Sequence, residues 1–74
     1  MIIFDKLWTT MKEKGITKYK LKEECFIDSR TIKRLRTNGS VETKTLDRLC
    51  AILDCNLEDI ATYIKADEND DMKI

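Results

Sequence analysis

The 74-residue chain contains no histidine, no proline and only two glycines, Gly15 and Gly39. Without histidine it lacks the side chain most often used as a general acid or base, and no pair of carboxylates stands out as a replacement. We therefore expect neither an enzyme nor a cofactor site, and no small-molecule ligand. Because Lys, Glu, Leu and Ile are abundant while Gly and Pro are scarce, the composition favours helix over strand.

Cysteine is also sparse, with Cys25, Cys50 and Cys55. An odd number argues against a disulfide framework. No Cys-x-x-Cys pair is present, and a zinc site would need a carboxylate as its fourth ligand. We interpret the three cysteines as small apolar side chains that fill gaps between helices, and we expect no metal.

Long apolar runs are missing, since the longest covers only residues 1–4. This run is too short for a transmembrane helix or the core of a signal peptide. We expect a cytoplasmic protein without a membrane partner. The length predicts one domain, which we assign to residues 1–64. The acidic segment 65–74, KADENDDMKI, has few large apolar side chains and is predicted to be a disordered tail.

The net charge is zero, but the charges are unevenly distributed. Residues 16–40 hold seven Lys and Arg side chains against three Asp and Glu, whereas residues 41–74 hold four against nine. Binding responds to the local patch, because more distant charges are screened by salt. The sequence therefore predicts one basic and one acidic surface.

Segment 17–37, TKYKLKEECFIDSRTIKRLRT, has the pattern of two short helices around a turn. Leu21 and Cys25 are four residues apart on one helix face, and Ile32 and Leu35 are three apart on the next. Ile27 falls in the turn, where it can fill the joint between the two helices. The helical period places three cations opposite Ile32 and Leu35, namely Arg30, Lys33 and Arg34. A helix that is packed on one side and basic on the other suits the major groove of DNA.

Periodicity predicts five helices and no strand, at residues 5–14, 18–24, 29–36, 44–53 and 57–64. The helices outside the basic segment have apolar positions at core spacing: Phe4, Leu7, Trp8, Met11, Leu46, Leu49, Cys50, Leu53, Leu57, Ile60, Ala61 and Ile64. Predicted N-caps are Thr17, Asp28, Thr43 and Asn56, and Gly15 is expected to end the first helix. In the loop 37–40, Asn38 and Gly39 are expected to supply positive φ angles.

The order of these elements and the segment 35–60, LRTNGSVETKTLDRLCAILDCNLEDI, resemble the phage-repressor (Cro/cI-type, XRE) helix-turn-helix regulators. The likeness is greatest to the small stand-alone subgroup of phages and mobile elements. The closing pattern of that subgroup is matched by Leu49, Cys50, Leu53, Cys55, Asp59 and Ile60. The resemblance covers residues 4–64 and implies a compact, all-α, five-helix, lambda-repressor-like domain. It also implies a bacterial or phage transcription regulator at the nucleoid that binds double-stranded DNA as a homodimer.

The same resemblance assigns roles to individual residues. It places the DNA base contacts at Ser29, Arg30, Lys33 and Arg34. It places DNA backbone contacts at Lys18, Asn38, Thr43 and Lys44. Tyr19 has two alternatives, a hydrogen bond to a phosphate or packing over Ile16, and we favour the phosphate.

Two residues depart from the pattern of that family. Lys22 stands where alanine is usual, so its stem must pass the next helix and expose its ammonium group. Phe26 stands at a turn position usually held by glycine, where φ tends to be positive, so we expect strain or a different turn.

A protein-interaction module of the same fold is the alternative function. Its acidic half would bind a partner regulator, and the protein would not bind DNA. The candidate dimer surfaces are Tyr63 with Ile64, or residues 1–4.

Overall fold

The computed structural model describes residues 1–65 and contains four α-helices and two short strands in that part of the chain. The helices are α1 (Asp5–Lys14), α2 (Lys18–Glu23), α3 (Ser29–Arg36) and α4 (Thr43–Leu53). The strands are β1 (Ile2–Ile3) and β2 (Thr62–Tyr63), and a 3-10 turn at Leu57–Asp59 precedes β2. The mostly helical helix-turn-helix class is confirmed. The predicted tail lies outside the described residues from position 66 onward.

The predicted fifth helix at residues 57–64 is wrong. After the 3-10 turn the chain extends, and β2 pairs antiparallel with β1 in the register Ile2 to Tyr63 and Ile3 to Thr62. The Ile64 N–H donates to the Met1 carbonyl at 2.7 Å, and the Met1 amino group donates to the Ile64 carbonyl at 2.8 Å. Because β-branched and aromatic residues suit strands, this segment extends once a partner strand is available. We call residues 1–3 and 62–64 together the ribbon.

The core lies between the helices and follows most of the predicted stripes. The fully buried large side chains are Leu7, Leu21, Leu35, Leu49, Leu53 and Ile60. Two residues predicted to face inward are instead exposed, Leu57 at 54% and Ile64 at 41%. Their prediction assumed helical spacing, which ends at the 3-10 turn. Within residues 1–65, no helix combines the length and apolar content needed to span a bilayer.

Side chains form capping hydrogen bonds at three of the predicted helix starts. At the start at Asn56, which begins a 3-10 turn, the Asp59 carboxylate accepts a hydrogen bond from the Asn56 N–H at 2.9 Å. The Thr17 hydroxyl accepts a hydrogen bond from the Lys20 N–H at 3.1 Å, and an Asp28 carboxylate oxygen accepts one from the Thr31 N–H at 2.8 Å. Gly15 ends α1 with φ +70°, as predicted. The prediction for Thr43 is wrong, because Thr43 is the first residue of α4 and Glu42 is its N-cap without a side-chain hydrogen bond. The first N–H groups of α4 therefore have no side-chain partner.

The loop after α3 uses its two turn residues differently. Asn38 has the predicted positive φ, at 58°, whereas Gly39 does not have one. Gly39 instead donates its N–H to the Arg34 carbonyl at 2.6 Å, and an added Cβ would stand 3.4 Å from Arg34. The loop therefore packs closely against the last turn of α3, and a Cβ at position 39 would be in van der Waals contact with it.

Candidate nucleic-acid interface

The turn between α2 and α3 is held from two sides. Inside the motif, the Ile27 N–H donates to the Leu21 carbonyl at 3.0 Å, and both side chains are buried. From α4, the Arg48 guanidinium donates to the Cys25 carbonyl. These contacts fix the direction in which α3 leaves the turn, and so they orient the basic helix relative to the rest of the domain.

The basic side of α3 is open to solvent. Ser29, Arg30, Lys33 and Arg34, the predicted base contacts, are all exposed, whereas Ile32 and Leu35 are buried on the other side. Ser29 and Lys33 line an open cleft between α2 and α3, together with Lys18 and Tyr19. Arg34 lines a second cleft toward the start of α4. The predicted residues are therefore distributed over both sides of α3.

The first cleft contains two cations to which the sequence analysis gave no DNA contact, Lys22 and Arg36. In the sequence, Lys22 stands out only for its packing position and Arg36 only as part of the local charge. Helical spacing was the signal that could have identified them, since Lys22 follows Lys18 by four residues and Arg36 follows Lys33 by three.

Two predicted backbone contacts lie at the start of α2. The Lys18 ammonium stands over the Trp8 ring, 5.2 Å from its centroid. Such a contact draws the ammonium toward the electron-rich ring face. Tyr19 is 72% exposed, which favours the phosphate contact over packing on Ile16.

The other predicted backbone contacts lie on the opposite side of α3. Thr43 and Lys44 are exposed in the first turn of α4. The Asn38 side-chain oxygen already accepts a hydrogen bond from the Phe4 N–H at 2.8 Å. Only the Asn38 amide NH₂ group is left to donate to another partner. Asn38 thus connects the end of α3 to the residue that follows β1.

A comparison with protein families identifies this architecture. The model of the Cro/C1-type HTH DNA-binding domain matches residues 6–66, most of the chain. The chain belongs to this family. Its structure is similar to the crystal structure of the transcriptional regulator VanUg, with a TM-score of 0.79 and 25% sequence identity over 88% of this chain and 87% of that one. No curated protein matches the sequence.

The Cro/C1-type turn is strained at Phe26. Its φ is +59°, as expected from its position, and its side chain is 80% exposed. An L-residue pays about 1–2 kcal/mol for the left-handed region, because its Cβ approaches the following carbonyl. An exposed ring recovers little of this cost through burial.

Replacing Phe26 by glycine should therefore raise the free energy of unfolding by about 1 kcal/mol, the released strain less the greater flexibility of glycine in the unfolded chain. Urea denaturation followed by circular dichroism would measure it. Phe26→Ala is the matched control, because it also removes the ring but keeps a Cβ, so it should not be stabilising. Equal stabilities for all three proteins would contradict the strain.

Asp28, the N-cap of α3, has a lowered pKa. The main cause is the hydrogen bond from the Thr31 N–H, with a second contribution from the Thr31 side chain, and Arg30 and Arg34 lower it further. A carboxylate at a helix N-terminus also benefits from the positive end of the helix dipole. The ionised cap therefore belongs to the same local structure as the basic surface.

This shift predicts acid sensitivity in the Cro/C1-type domain. Because the folded pKa lies below the unfolded value near 3.8, the stabilisation is complete above that value and is lost as the pH falls through the folded pKa. Asp28→Asn keeps a good N-cap without a titrating group. Between about pH 6 and about pH 3, the melting temperature of wild type should fall further than that of Asp28→Asn. If the melting temperatures of the two proteins fell equally with pH, a contribution from the ionisation of Asp28 would be excluded.

Proposed function

We propose that this Cro/C1-type domain is a sequence-specific transcription regulator that reads the major groove of DNA with α3. The exposed row of Ser29, Arg30, Lys33 and Arg34 opposite the buried Ile32 and Leu35 carries the proposal. A buried stripe fixes the helix to the domain and leaves its polar side for the base edges. The family match supports DNA binding, and the choice of contacts is our inference.

Each side chain on α3 offers a distinct chemistry to base edges. Arg30 can donate two parallel hydrogen bonds to guanine O6 and N7, a contact worth about 1–3 kcal/mol of discrimination. Lys33 can donate to the same acceptors or to a phosphate, with less directional preference. Ser29 both donates and accepts, so it tolerates several bases. Arg34 would extend the readout toward the α4 side.

Phosphates would be bound on both sides of α3. On one side Lys18 and Tyr19 are available, and Lys22 and Arg36 line the same cleft. On the other side, the N-terminus of α4 has no side-chain cap, and the Thr45 N–H donates to the Glu42 carbonyl at 2.9 Å. The N–H groups of Thr43 and Lys44 can therefore donate to a phosphate oxygen. Thr43, Lys44 and the Asn38 amide group lie beside it. Such contacts fix the register without reading sequence.

Fluorescence anisotropy with DNA from upstream of its own coding sequence tests this proposal. We expect binding that weakens with rising salt and is strongly reduced in the double variant Arg30→Ala/Lys33→Ala. Circular dichroism would establish that the variant is folded. No binding by folded wild type at low salt would contradict the proposal. It would favour the interaction module, for which Arg30→Glu would leave a partner complex intact.

We further propose that the regulator acts as a homodimer, with the ribbon as its contact surface. Met1, Ile2, Tyr63 and Ile64 are all exposed there, from 41% to 68%. Because β1 pairs with β2, Ile2 lies beside Tyr63 on one face of the ribbon, and the alternation of a strand places Met1 and Ile64 on the other face. All four side chains are uncharged. A two-fold dimer brings identical patches together, which favours an uncharged patch over the basic or acidic surface. The two candidate dimer surfaces of the sequence analysis thus become one.

Ile2→Asp should convert a dimer into a monomer, as measured by sedimentation equilibrium, because it would bury two like charges at the two-fold axis. Leu57→Asp is the control, since Leu57 is equally exposed but lies outside the ribbon. Ile2→Asp should weaken binding to paired half-sites and leave binding to a single half-site unchanged. A dimer that survives Ile2→Asp would exclude the ribbon, while intact half-site binding would retain the DNA proposal.

A further inference from the structure

Cys50 and Cys55 face each other across the turn that ends α4. The Cys55 N–H donates to the Cys50 carbonyl at 3.1 Å, and Asp54 between them takes the left-handed conformation with φ 51°. This is the hydrogen-bond pattern of a Schellman motif, in which the side chains of these two positions commonly touch. The turn therefore brings the two thiols close together.

The spacing suits a covalent bond between the two sulfurs. A disulfide cannot form when the Cα atoms are more than about 7 Å apart, and one direct backbone hydrogen bond holds these residues closer than that. The thiols also influence each other: desolvation first, then the nearby Cys50 and Asp59, raise the pKa of Cys55. Cys55 thus keeps its proton more firmly than a free cysteine.

Both thiols lie at open surfaces. Cys50 is half-buried in a shallow apolar cleft with Leu46 and Leu57. Cys55 is half-buried in a separate polar cleft, beside Thr10 and Asp59. Small reagents can reach the pair without unfolding of the core. Cys25 belongs to the turn before α3, where its carbonyl accepts from Arg48.

We propose that Cys50 and Cys55 form a redox-active dithiol site that low-molecular-weight disulfides oxidise to an intramolecular disulfide. No residue of α3 lines the cleft beside either cysteine, so the site is separate from the proposed base contacts, although Thr43, a proposed phosphate contact, lines the cleft beside Cys50. It adds a covalent modification to a domain whose binding surface is built from other residues.

The reaction needs one equivalent of the small disulfide. The Cys50 thiolate attacks one of its sulfurs, the S–S bond breaks, and the leaving thiolate takes up a proton. The Cys55 thiol then loses its proton and attacks the Cys50 sulfur of the mixed disulfide, which releases the second small thiol. The protein loses two electrons and two protons, and the small disulfide is reduced to two thiols.

The new bond would restrict the C-terminal turn of α4 to its folded conformation. It would close a short loop around Asp54, and cross-links stabilise mainly by restricting the unfolded chain. For a short loop we expect the melting temperature of the oxidised form to rise by about 5–10 °C. Oxidation would therefore lengthen the lifetime of the folded regulator and leave its affinity for a half-site unchanged.

Tryptic mapping after treatment with oxidised glutathione tests this proposal. Cleavage after Arg48 and Lys65 places both cysteines in peptide 49–65, whereas Cys25 falls in peptide 23–30. We expect the mass of peptide 49–65 to fall by two hydrogens. A second cleavage of this peptide beside Asp54 should give two fragments that stay joined by the disulfide. Cys25→Ser should behave like wild type. Cys50→Ser and Cys55→Ser should retain one glutathione adduct and show no rise in melting temperature.

Two results would overturn the proposal. The first is stable glutathione adducts on both Cys50 and Cys55 without a link between them. The second is a link from either residue to Cys25. Because the Cys25→Ser protein retains the dithiol, and wild type alone reports the link by mass, the test does not depend on the folding of the other two variants.

Discussion

Replacing Leu35 by alanine is expected to lower the free energy of unfolding by about 2–5 kcal/mol. Leu35 is completely buried, so the substitution removes apolar contacts and leaves a cavity beneath α3. Domains below about 80 residues rarely have more than ~3–5 kcal/mol of stability. We therefore expect the variant to be largely unfolded near room temperature, and circular dichroism with urea titration would measure the loss.

The matched control for this prediction is the same substitution at an exposed leucine. Leu57 is 54% exposed, so Leu57→Ala should change stability by about 0.5 kcal/mol or less. Comparable losses at both positions would mean that Leu57 packs into the core, as the predicted fifth helix required. They would also contradict the 3-10 turn in which Leu57 lies exposed.

Removing the Arg30 side chain is expected to weaken binding to the cognate half-site by about 5- to 150-fold and to relax selection at one base pair. This range corresponds to the ~1–3 kcal/mol of a bidentate guanine contact. Arg30 is exposed, so Arg30→Ala should not unfold the domain. Competition anisotropy with a set of half-sites, each changed at one base pair, would measure both effects.

Lys18→Ala provides the comparison, since we assign Lys18 to a phosphate. It should weaken binding to all of these half-sites by a similar factor. It should also reduce the slope of log affinity against log salt concentration by about one, the value for one lost phosphate contact. If Arg30→Ala also weakened every half-site equally, Arg30 would be a backbone contact, and the specificity would have to come from other residues on α3.

Local signals predicted the helical part of the fold well. The bounds of α1 and α3 agree with the expectation, and the caps Thr17 and Asp28 form the predicted hydrogen bonds. Each of these features depends on residues a few positions apart, which a sequence displays directly. The positive φ of Phe26 was also predictable, from its place in the turn.

The ribbon could not be found in this way. The segment 57–64 has apolar residues at helical spacing, and its actual partner lies at the other end of the described chain. The hydrogen bond from Met1 to Ile64 joins residues 63 positions apart, and no local pattern encodes it. A nonlocal contact here outweighed helical periodicity, which is why Leu57 and Ile64 face solvent.

The sequence predicted which side chains are exposed on the proposed binding surface, but not the hydrogen bonds that join this surface to the rest of the domain. Exposure of Arg30, Lys33 and Arg34 follows from the helical period. The hydrogen bond from Phe4 to Asn38 does not, because it depends on where β1 passes the end of α3. Glu42 replaces Thr43 as the N-cap of α4 although threonine is the better capping residue.

The pairing of β1 with β2 also affects the order in which the domain assembles. Helices form from near neighbours, whereas the ribbon must close a loop that spans nearly the whole described chain, at an entropic cost that grows with its length. Because each strand has only two residues, their pairing forms few hydrogen bonds to offset that entropic cost. The ribbon should therefore form after the helical core during folding and open before it during unfolding. Transient opening of the ribbon would then leave α3 in position.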